Sequence, residues 1–336
     1  MRLLALAAAL GTACAAHAAD QARFLTFEND LFFHTDRYYT NGIQVAARQA
    51  GGARPDWLSR LCGGLGCAGH DLAFHQHNLG QLMYTPADID RAAPQPWDHP
   101  WAGLLYYQRE YWLAAPDRQS LTALTWQLGV TGRPALAAQS QRLVHRILGR
   151  PAPQGWDNQI GASLAGTGTL ERRHALPALR ADWAGGVQLR AAAYWRVALG
   201  TIQGYAGTGL LAVLGKALPD VPAGPVGILT KLAPPAATPC LARWLRCTAF
   251  LGIEARAMAY NVFLDGRLQG DDPSVARRVL VGDAVAGLRL DFPRSATRAH
   301  GPWFLQFKAT RRSPEFRSPR PVASQSVGAL SLGTDF

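Results

Sequence analysis

Short segments in which apolar and polar residues alternate recur along most of this chain, separated by stretches rich in Gly, Pro and Asp. Alternation with a period of two predicts β-strands with one apolar and one polar face. We predict strands near 22–29, 42–50, 76–84, 102–113, 120–131, 157–171, 178–187, 189–201, 248–264, 274–292, 302–313 and 325–336. Twelve is an even number, as in single-chain bacterial outer-membrane barrels. The pattern therefore predicts an all-β fold, a transmembrane antiparallel β-barrel of about 12 strands.

The last predicted strand supports this class of fold. One of its faces carries Leu330, Leu332, Thr334 and Phe336, and the other carries Ala329, Ser331, Gly333 and Asp335. An amphipathic final strand that ends in a C-terminal Phe is similar to the insertion signal of outer-membrane barrel proteins. We therefore expect the protein in the outer membrane of a Gram-negative bacterium, in contact with its lipids.

The N-terminal residues are typical of an export signal. Arg2 is followed by an apolar stretch over 3–10 and by Ala16-His17-Ala18, a small-x-small cleavage site. We predict a signal peptide over 1–18 and one outer-membrane β-barrel domain over 19–336. The remaining chain has no apolar run of about 20 residues, the length that a transmembrane helix needs.

The cysteines indicate the redox environment of the protein. Cleavage would leave four cysteines in two local pairs, Cys62 with Cys67 and Cys240 with Cys247. This spacing favours two short disulfide loops, as in an oxidising compartment, over the other two connectivities and over a zinc site.

The chain has 34 Lys and Arg against 23 Asp and Glu, a net charge of +11. Nearly all of the positive charge is arginine, which suits a phosphate-rich partner such as lipopolysaccharide, although a coding bias toward arginine explains it equally well. Because the chain is predicted to be exported and has no basic run or known nucleic-acid-binding module, we expect no nucleic acid partner.

Two segments depart from the strand pattern. Residues 135–148 predict a short helix in a loop, on which Gln141 and His145 lie four residues apart on one face. Histidine titrates near neutrality, so His145 is the best candidate for a general base, with a solvated loop histidine as the alternative. Residues 216–239, rich in Pro and Gly, predict a long surface loop.

A polar stretch over 28–42 concentrates carboxylate and amide groups between two predicted strands. Oxygen atoms of this kind are the ligands that calcium prefers, which makes Asn29 and Asp30 candidate ligands. The alternative is that both residues only form a turn. A third polar cluster contains Asp98 and His99, which could line a site or form the turn before the next strand.

Together these residues resemble a known family, the outer-membrane lipid A 3-O-deacylases of the LpxR type. The resemblance rests on Glu28-Asn29-Asp30 and on residues 35–42, 84–86, 98–103, 128–134, 141, 145, 155–159 and 310–316, in order along nearly the whole mature chain. His99 and Trp101 stand where some members have Arg and Tyr, which removes a cation able to hold a lipid phosphate.

This resemblance implies a twelve-stranded barrel with its active site near the extracellular rim, and calcium-dependent removal of the 3-linked acyloxyacyl chain from lipid A. It implies that His145 is the general base, that Gln141 shapes the site, and that Asn29 and Asp30 place the calcium ion. The remaining residues that the resemblance implicates are Thr40 and Asn41 in the catalytic motif, and Asp98, His99, Trp156 and Asp157 toward the substrate. We expect a monomer.

Two other functions remain open at this point. One is a barrel phospholipase with a Ser-His-Asn system, which would need a serine beside a strand histidine, and no such pairing is evident. The other is a non-enzymatic barrel that acts as a channel or scaffold.

Overall fold

The computed structural model describes residues 21–226, 231–235, 240, 244–292 and 302–335. The predicted signal peptide and Phe336 lie outside the described residues. Twelve long strands form the wall: β1 Gln21–Asn29, β2 Tyr38–Ala50, β3 Asp71–Thr85, β4 Ala102–Ala114, β5 Ser120–Thr131, β6 Leu164–Ala175, β7 Val187–Gly200, β8 Gln203–Lys216, β9 Arg246–Asn261, β10 Leu280–Phe292, β11 Trp303–Arg312 and β12 Gln325–Asp335. The helices are α1 Asp56–Leu65, α2 Ala137–Ile147 and the single turn α3 Val262–Asp265.

The strands close into one antiparallel sheet. Each strand pairs with its sequence neighbours, and β1 pairs with β12 in a register that places Glu28 opposite Ala329. A two-residue strand, Ala181–Asp182, extends the edge of β7. Closure leaves no unpaired edge in the wall, which satisfies the backbone polar groups as a membrane requires. The predicted barrel of twelve strands is confirmed.

Side-chain alternation separates the lumen from the outer face. Phe24, Thr26 and Glu28 on β1 are buried in the lumen, while large apolar residues on other strands, such as Leu79 on β3 and Leu251 on β9, are exposed on the outer face. The lumen holds buried ion pairs, among them Lys308 with Glu28 at 3.3 Å. Among the described residues, no helix has the length and apolar character that crossing a membrane requires.

One predicted strand was wrong, and one strand of the structure was not predicted. The strand predicted over 178–187 is mostly a pair of 3₁₀ turns, Pro177–Leu179 and Ala184–Gly186, because the Pro and the consecutive Gly residues break the ladder. The strand β8 was missed, because Gly204, Gly207 and Gly209 weaken its alternation. The predicted total of twelve is correct because the one extra strand and the one missed strand cancel.

The prediction of a surface loop over 216–239 was also wrong. The described part of this segment lies inside the barrel, where Val221 packs with Trp112 and Leu232 packs between Phe24 and Phe304. Lys231 Nζ lies 3.2 Å from the buried Glu171 carboxylate. We call the described residues 217–226 and 231–235 the lumen plug. Its Pro and Gly residues suit an irregular path, and its apolar side chains fill the lumen.

The two ends of the barrel differ. One end, here called the site rim, carries the loops 30–37, 86–101, 132–163, 262–279 and 313–324. The opposite end carries both termini of the barrel, α1 and the lumen plug. In the structure Cys62 bonds to Cys67 at the end of α1, and Cys240 bonds to Cys247 at the start of β9.

Candidate active site

The loop 30–37 begins with a 3₁₀ turn that the polar motif itself organises. Asn29 Oδ1 accepts a hydrogen bond from the Leu31 amide at 2.7 Å and so caps the turn. Asp30 is fully buried, and its Oδ2 accepts from the Thr35 hydroxyl at 2.9 Å and from the Arg37 amide at 2.8 Å. Burial raises the pKa of Asp30 to about 8 despite these hydrogen bonds. Its Oδ1 is buried without a hydrogen-bond partner.

The end of β1 also determines which way Asn29 faces. Because Thr26 and Glu28 point into the lumen, strand alternation turns Asn29 toward the outer face. Asn29 pairs in register with Asn41 on β2, and Asn41 is opposite Met83 on β3. These side chains therefore lie on the outside of the barrel wall, just below the site rim.

Helix α2 covers this part of the outer face. Gly103 on β4 allows the close approach, since a Cβ at this position would lie 2.6 Å from the Ala137 Cβ. Gln81 Nε2 donates to the Ala135 carbonyl at 2.6 Å and fixes the chain just before the helix. The small residues Ala137 and Ala138 bury against Met83, so the helix face that carries Gln141 and His145 turns toward the strands.

His145 has a defined orientation. Its Nδ1 lies 2.6 Å from the Pro151 carbonyl oxygen. A carbonyl only accepts, so Nδ1 carries a proton and donates it, and Nε2 is the ring nitrogen left for proton exchange. That Nε2 lies 3.6 Å from Asp36 Oδ2. Burial raises the pKa of Asp36, and the nearby His145 and Arg150 charges act in the opposite direction. The arrangement places the imidazole Nε2 of His145 next to a carboxylate oxygen.

Gln141 is oriented by Trp156. The indole Nε1 donates to Gln141 Oε1 at 2.7 Å, and Trp156 is itself buried against Trp101. The amide nitrogen of Gln141 is buried and has no hydrogen-bond partner. Gln141 therefore offers a free N–H donor, and the hydrogen bond from Trp156 to the amide oxygen fixes the orientation of the Gln141 side chain.

One cavity unites these groups. It is lined by Asn29, Leu31, Asp36, Thr40, Asn41, Met83, Ser140, Gln141, Val144, His145, Leu148 and Arg150. Thr40 also bonds to the Thr85 hydroxyl at 2.6 Å, which ties β2 to β3 at the cavity wall. Of the residues that we predicted as catalytic, only Asp30 does not line this cavity. The carboxylates of Asp30 and Asp36 nevertheless interact electrostatically.

Three of the four residues predicted to contact substrate lie away from the cavity. His99 is buried, stacked on Tyr84, with its Nδ1 2.8 Å from the Pro100 carbonyl oxygen, and burial lowers the pKa of His99. Asp98 accepts hydrogen bonds from the amides of Ala87 and His99 and shapes the turn. Asp157 is exposed and pairs with Arg133 at 3.6 Å. The fourth, Trp156, touches Gln141 and has its indole buried.

Asp36 and Arg150 line the cavity, and no role for either was predicted from the sequence. Asp36 belongs to the polar motif, and the loop between β1 and β2 is short. Asp36 must therefore lie close to the end of β1, where Asp30 follows the strand. The short loop is the sequence feature that could have identified Asp36. Arg150 follows α2 closely but carries no comparable sequence signal.

The fit of these residues to a calcium ion can be tested on their oxygen atoms. In the parts of the chain that the structure describes, no three His, Cys, Asp or Glu side chains are grouped so as to hold a metal ion. A cation would therefore depend on two carboxylates supplemented by amide and hydroxyl oxygens, which is a donor set that calcium accepts. Asp30 Oδ1 and Asp36 Oδ1 are both buried without hydrogen-bond partners. The residues fit such an ion.

Comparison with known proteins identifies the family. The sequence matches the outer membrane protein LpxR family over residues 3–336. The chain belongs to this family. Among solved structures it is similar to LpxR from Salmonella typhimurium, with a TM-score of 0.73 and 18% sequence identity, over 94% of this chain and 100% of that chain.

Two of the more distant structural matches to this LpxR-family chain are autotransporter barrels. The beta domain of the Bordetella autotransporter BrkA matches with a TM-score of 0.43 and 10% identity, covering 95% of this chain and 100% of that chain. The translocator domain of NalP from Neisseria meningitidis matches with a TM-score of 0.37 and 9% identity, covering 100% and 94%. Among curated proteins, none matches. Family and fold together place the protein in the outer membrane as a multi-strand β-barrel.

Proposed function

We propose that this protein is a calcium-dependent lipid A 3-O-deacylase, an ester hydrolase that removes the 3-linked acyloxyacyl chain. The observation that carries the proposal is the single cavity on the outer wall that brings His145, Gln141, Asn29, Thr40 and Asn41 together. Membership of the LpxR family supports the same substrate class.

The surroundings of the cavity suit a lipid ester. Leu143, Ile147 and Leu148 on or next to α2 are each about half exposed, as are Phe32 and Phe33 in the 30–37 loop. Phe32 packs edge-on against Phe307 on the outer face of the wall. A polar cavity bordered by exposed apolar side chains can hold an ester carbonyl while its acyl chain stays in the membrane.

The proposed chemistry is a direct attack by water. Nε2 of His145 takes a proton from water as the water oxygen bonds to the ester carbonyl carbon, and Asp36 stabilises the imidazolium. The Gln141 amide donates to the carbonyl oxygen as negative charge develops there. The bond between that carbon and the sugar O3 then breaks, and His145 returns the proton to O3. Calcium, held by Asp30, Asp36 and the Asn29 amide, would supply positive charge near the carbonyl oxygen.

The first test is a pair of histidine variants. His145→Asn should fold, as shown by heat-modifiable gel mobility, and should lose lipid A hydrolysis by at least about a hundredfold, because the base is gone. The matched control is His174→Asn, since His174 is exposed on β6 outside the cavity. Lipid A from cells with each variant would be analysed by mass spectrometry. Undiminished release of the 3-linked chain by His145→Asn would refute the proposal.

A serine esterase is the one alternative with a specific observation behind it, because Ser140 lines the same cavity. No hydrogen bond joins Ser140 to His145 in the described part of the molecule. We expect Ser140→Ala to retain hydrolysis, assayed separately on lipid A and on phospholipid. Loss of activity in that variant, with phospholipid as the better substrate, would favour the phospholipase mechanism.

A further inference from the structure

A second concave surface lies on the site rim, away from the catalytic cavity. It is formed where loops 262–279 and 313–324 meet, and it is lined by Arg278, Arg317, Arg320 and Ser318, with two prolines and a valine beside them. The three arginines are exposed. We call these three residues the rim arginines.

The rim arginines differ from the other arginines on the same loops. Arg267 pairs with Asp272 at 2.8 Å, and Arg277 pairs with Asp265 at 2.8 Å. By contrast, no carboxylate among the described residues pairs with any of the rim arginines. Converging positive charges without an internal partner favour an external anion.

Main-chain contacts hold this surface in shape. The Arg278 amide donates to the Glu315 carbonyl at 2.7 Å, and the Arg317 amide donates to the Ala276 carbonyl at 2.7 Å. Arg278 Nε donates to the Phe316 carbonyl at 3.2 Å. The Arg320 guanidinium lies 5.9 Å from the centre of the Trp97 ring. Little ordering of the backbone would therefore be needed when an anion binds.

The same loop is connected to the catalytic loop. Phe316 is buried edge-on against Tyr38, with ring centres 5.2 Å apart. Gln325 Nε2 donates to the Arg37 carbonyl at 2.5 Å, next to Asp36. The rim arginines and the catalytic cavity thus belong to one packed unit of neighbouring loops. A molecule with an ester at one end and an anionic head group at the other could reach both.

We infer that the rim arginines bind the phosphate groups of the glycolipid head group whose ester enters the catalytic cavity, an inference that rests on the proposed function. Guanidinium groups bind phosphate through paired hydrogen bonds, and three of them suit a doubly charged ester better than a carboxylate. The site acts on affinity and orientation and takes no part in bond breaking.

The test uses the full-length protein in detergent micelles with Arg317→Gln and Arg320→Gln combined. The matched control combines Arg60→Gln with Arg118→Gln, which removes the same charge from two exposed arginines at the opposite end. Binding is measured in the His145→Asn background, so that no substrate is consumed. The probes are diphosphorylated lipid A, lipid A with both phosphates removed, and inorganic phosphate.

The rim variant should bind diphosphorylated lipid A about tenfold more weakly and the dephosphorylated lipid as the wild type does. With His145 present, KM for diphosphorylated lipid A should rise by a similar factor while kcat stays constant. Unchanged binding, or equal weakening for both lipids, would overturn the inference. Inorganic phosphate that binds as tightly as the lipid would instead identify a site for free phosphate. If hydrolysis is absent but the binding difference persists, the proposed function fails and this site stands.

Discussion

Asp36 is the residue that the cavity geometry adds to the proposed mechanism. It lies 3.6 Å from His145 Nε2, and each side chain is largely buried. In this position the carboxylate can stabilise the imidazolium that forms when His145 takes a proton, and can also hold a cation through its free oxygen.

We therefore expect Asp36→Asn to lower kcat by roughly 10- to 100-fold with little effect on KM, because the amide is neutral but similar in size. Kinetics on micellar lipid A would measure this. Asp36→Glu should recover part of the activity. A kcat equal to that of the wild type would show that His145 acts without this carboxylate.

Asp30 gives a prediction about pH. Its pKa is raised to about 8 in the folded protein, from 3.8, so without a cation the folded state holds a proton that the unfolded state releases. Stability without calcium should therefore fall as pH rises from about 4 to about 8. Because the bound cation must displace this proton, calcium affinity should rise with pH up to about 8 and then level off.

Terbium luminescence at several pH values would measure that affinity, with Asp30→Asn as the comparison. The variant should bind more weakly and lose the slope between pH 6 and pH 8. Wild-type affinity that does not vary over this range would contradict a role for Asp30 as a ligand.

Among the elements, the position of α2 depends on its close packing against β4 of the barrel. Because a Cβ at Gly103 would lie 2.6 Å from the Ala137 Cβ, Gly103→Val should push the helix outward and displace Gln141 and His145. We expect activity to fall by at least about tenfold while the barrel still folds, since small displacements of catalytic groups have large effects on rate. Gly63→Ala in α1, where a Cβ would meet nothing within 4 Å, is the matched control. Equal activity in the two variants would mean that hydrolysis does not depend on the close packing of α2 against β4.

The same elements show how far sequence reasoning reaches. Strands with regular alternation, such as β4 and β5, were predicted almost to the residue, because burial on one face imposes the pattern. Helix α2 was predicted over 135–148 from its apolar spacing. The glycine-rich β8 and the lumen plug were not, because pairing and burial there depend on neighbours distant in sequence. The resemblance to a known family pointed to Gln141 and His145, but the contact between Gln141 and Trp156 needed coordinates.

At the scale of the whole molecule, we expect the lumen plug to determine whether the barrel conducts ions. It fills the end opposite the site rim, and Arg173 donates to its Pro222 carbonyl at 3.0 Å. Above it, the lumen contains a polar cavity lined by charged residues such as Glu171 and Arg196. We expect the intact protein to conduct ions poorly.

Replacing residues 219–235 with a short Gly-Ser linker should open the polar lumen and produce ion conductance in planar bilayers. It should also lower thermal stability, since Glu171 would lose Lys231. The control is the same linker inserted after Gly52, which is exposed at the same end. Equal conductance before and after the replacement would show that this segment does not close the barrel.

If the candidate cavity is the active site, its position on the outer wall has a kinetic consequence. A substrate embedded in the same leaflet would arrive by sliding sideways in two dimensions, so encounters would depend on its mole fraction among the surrounding amphiphiles. Adding inert detergent at constant total substrate should then slow turnover by surface dilution. An enzyme whose pocket opened into the aqueous channel would show no such dependence.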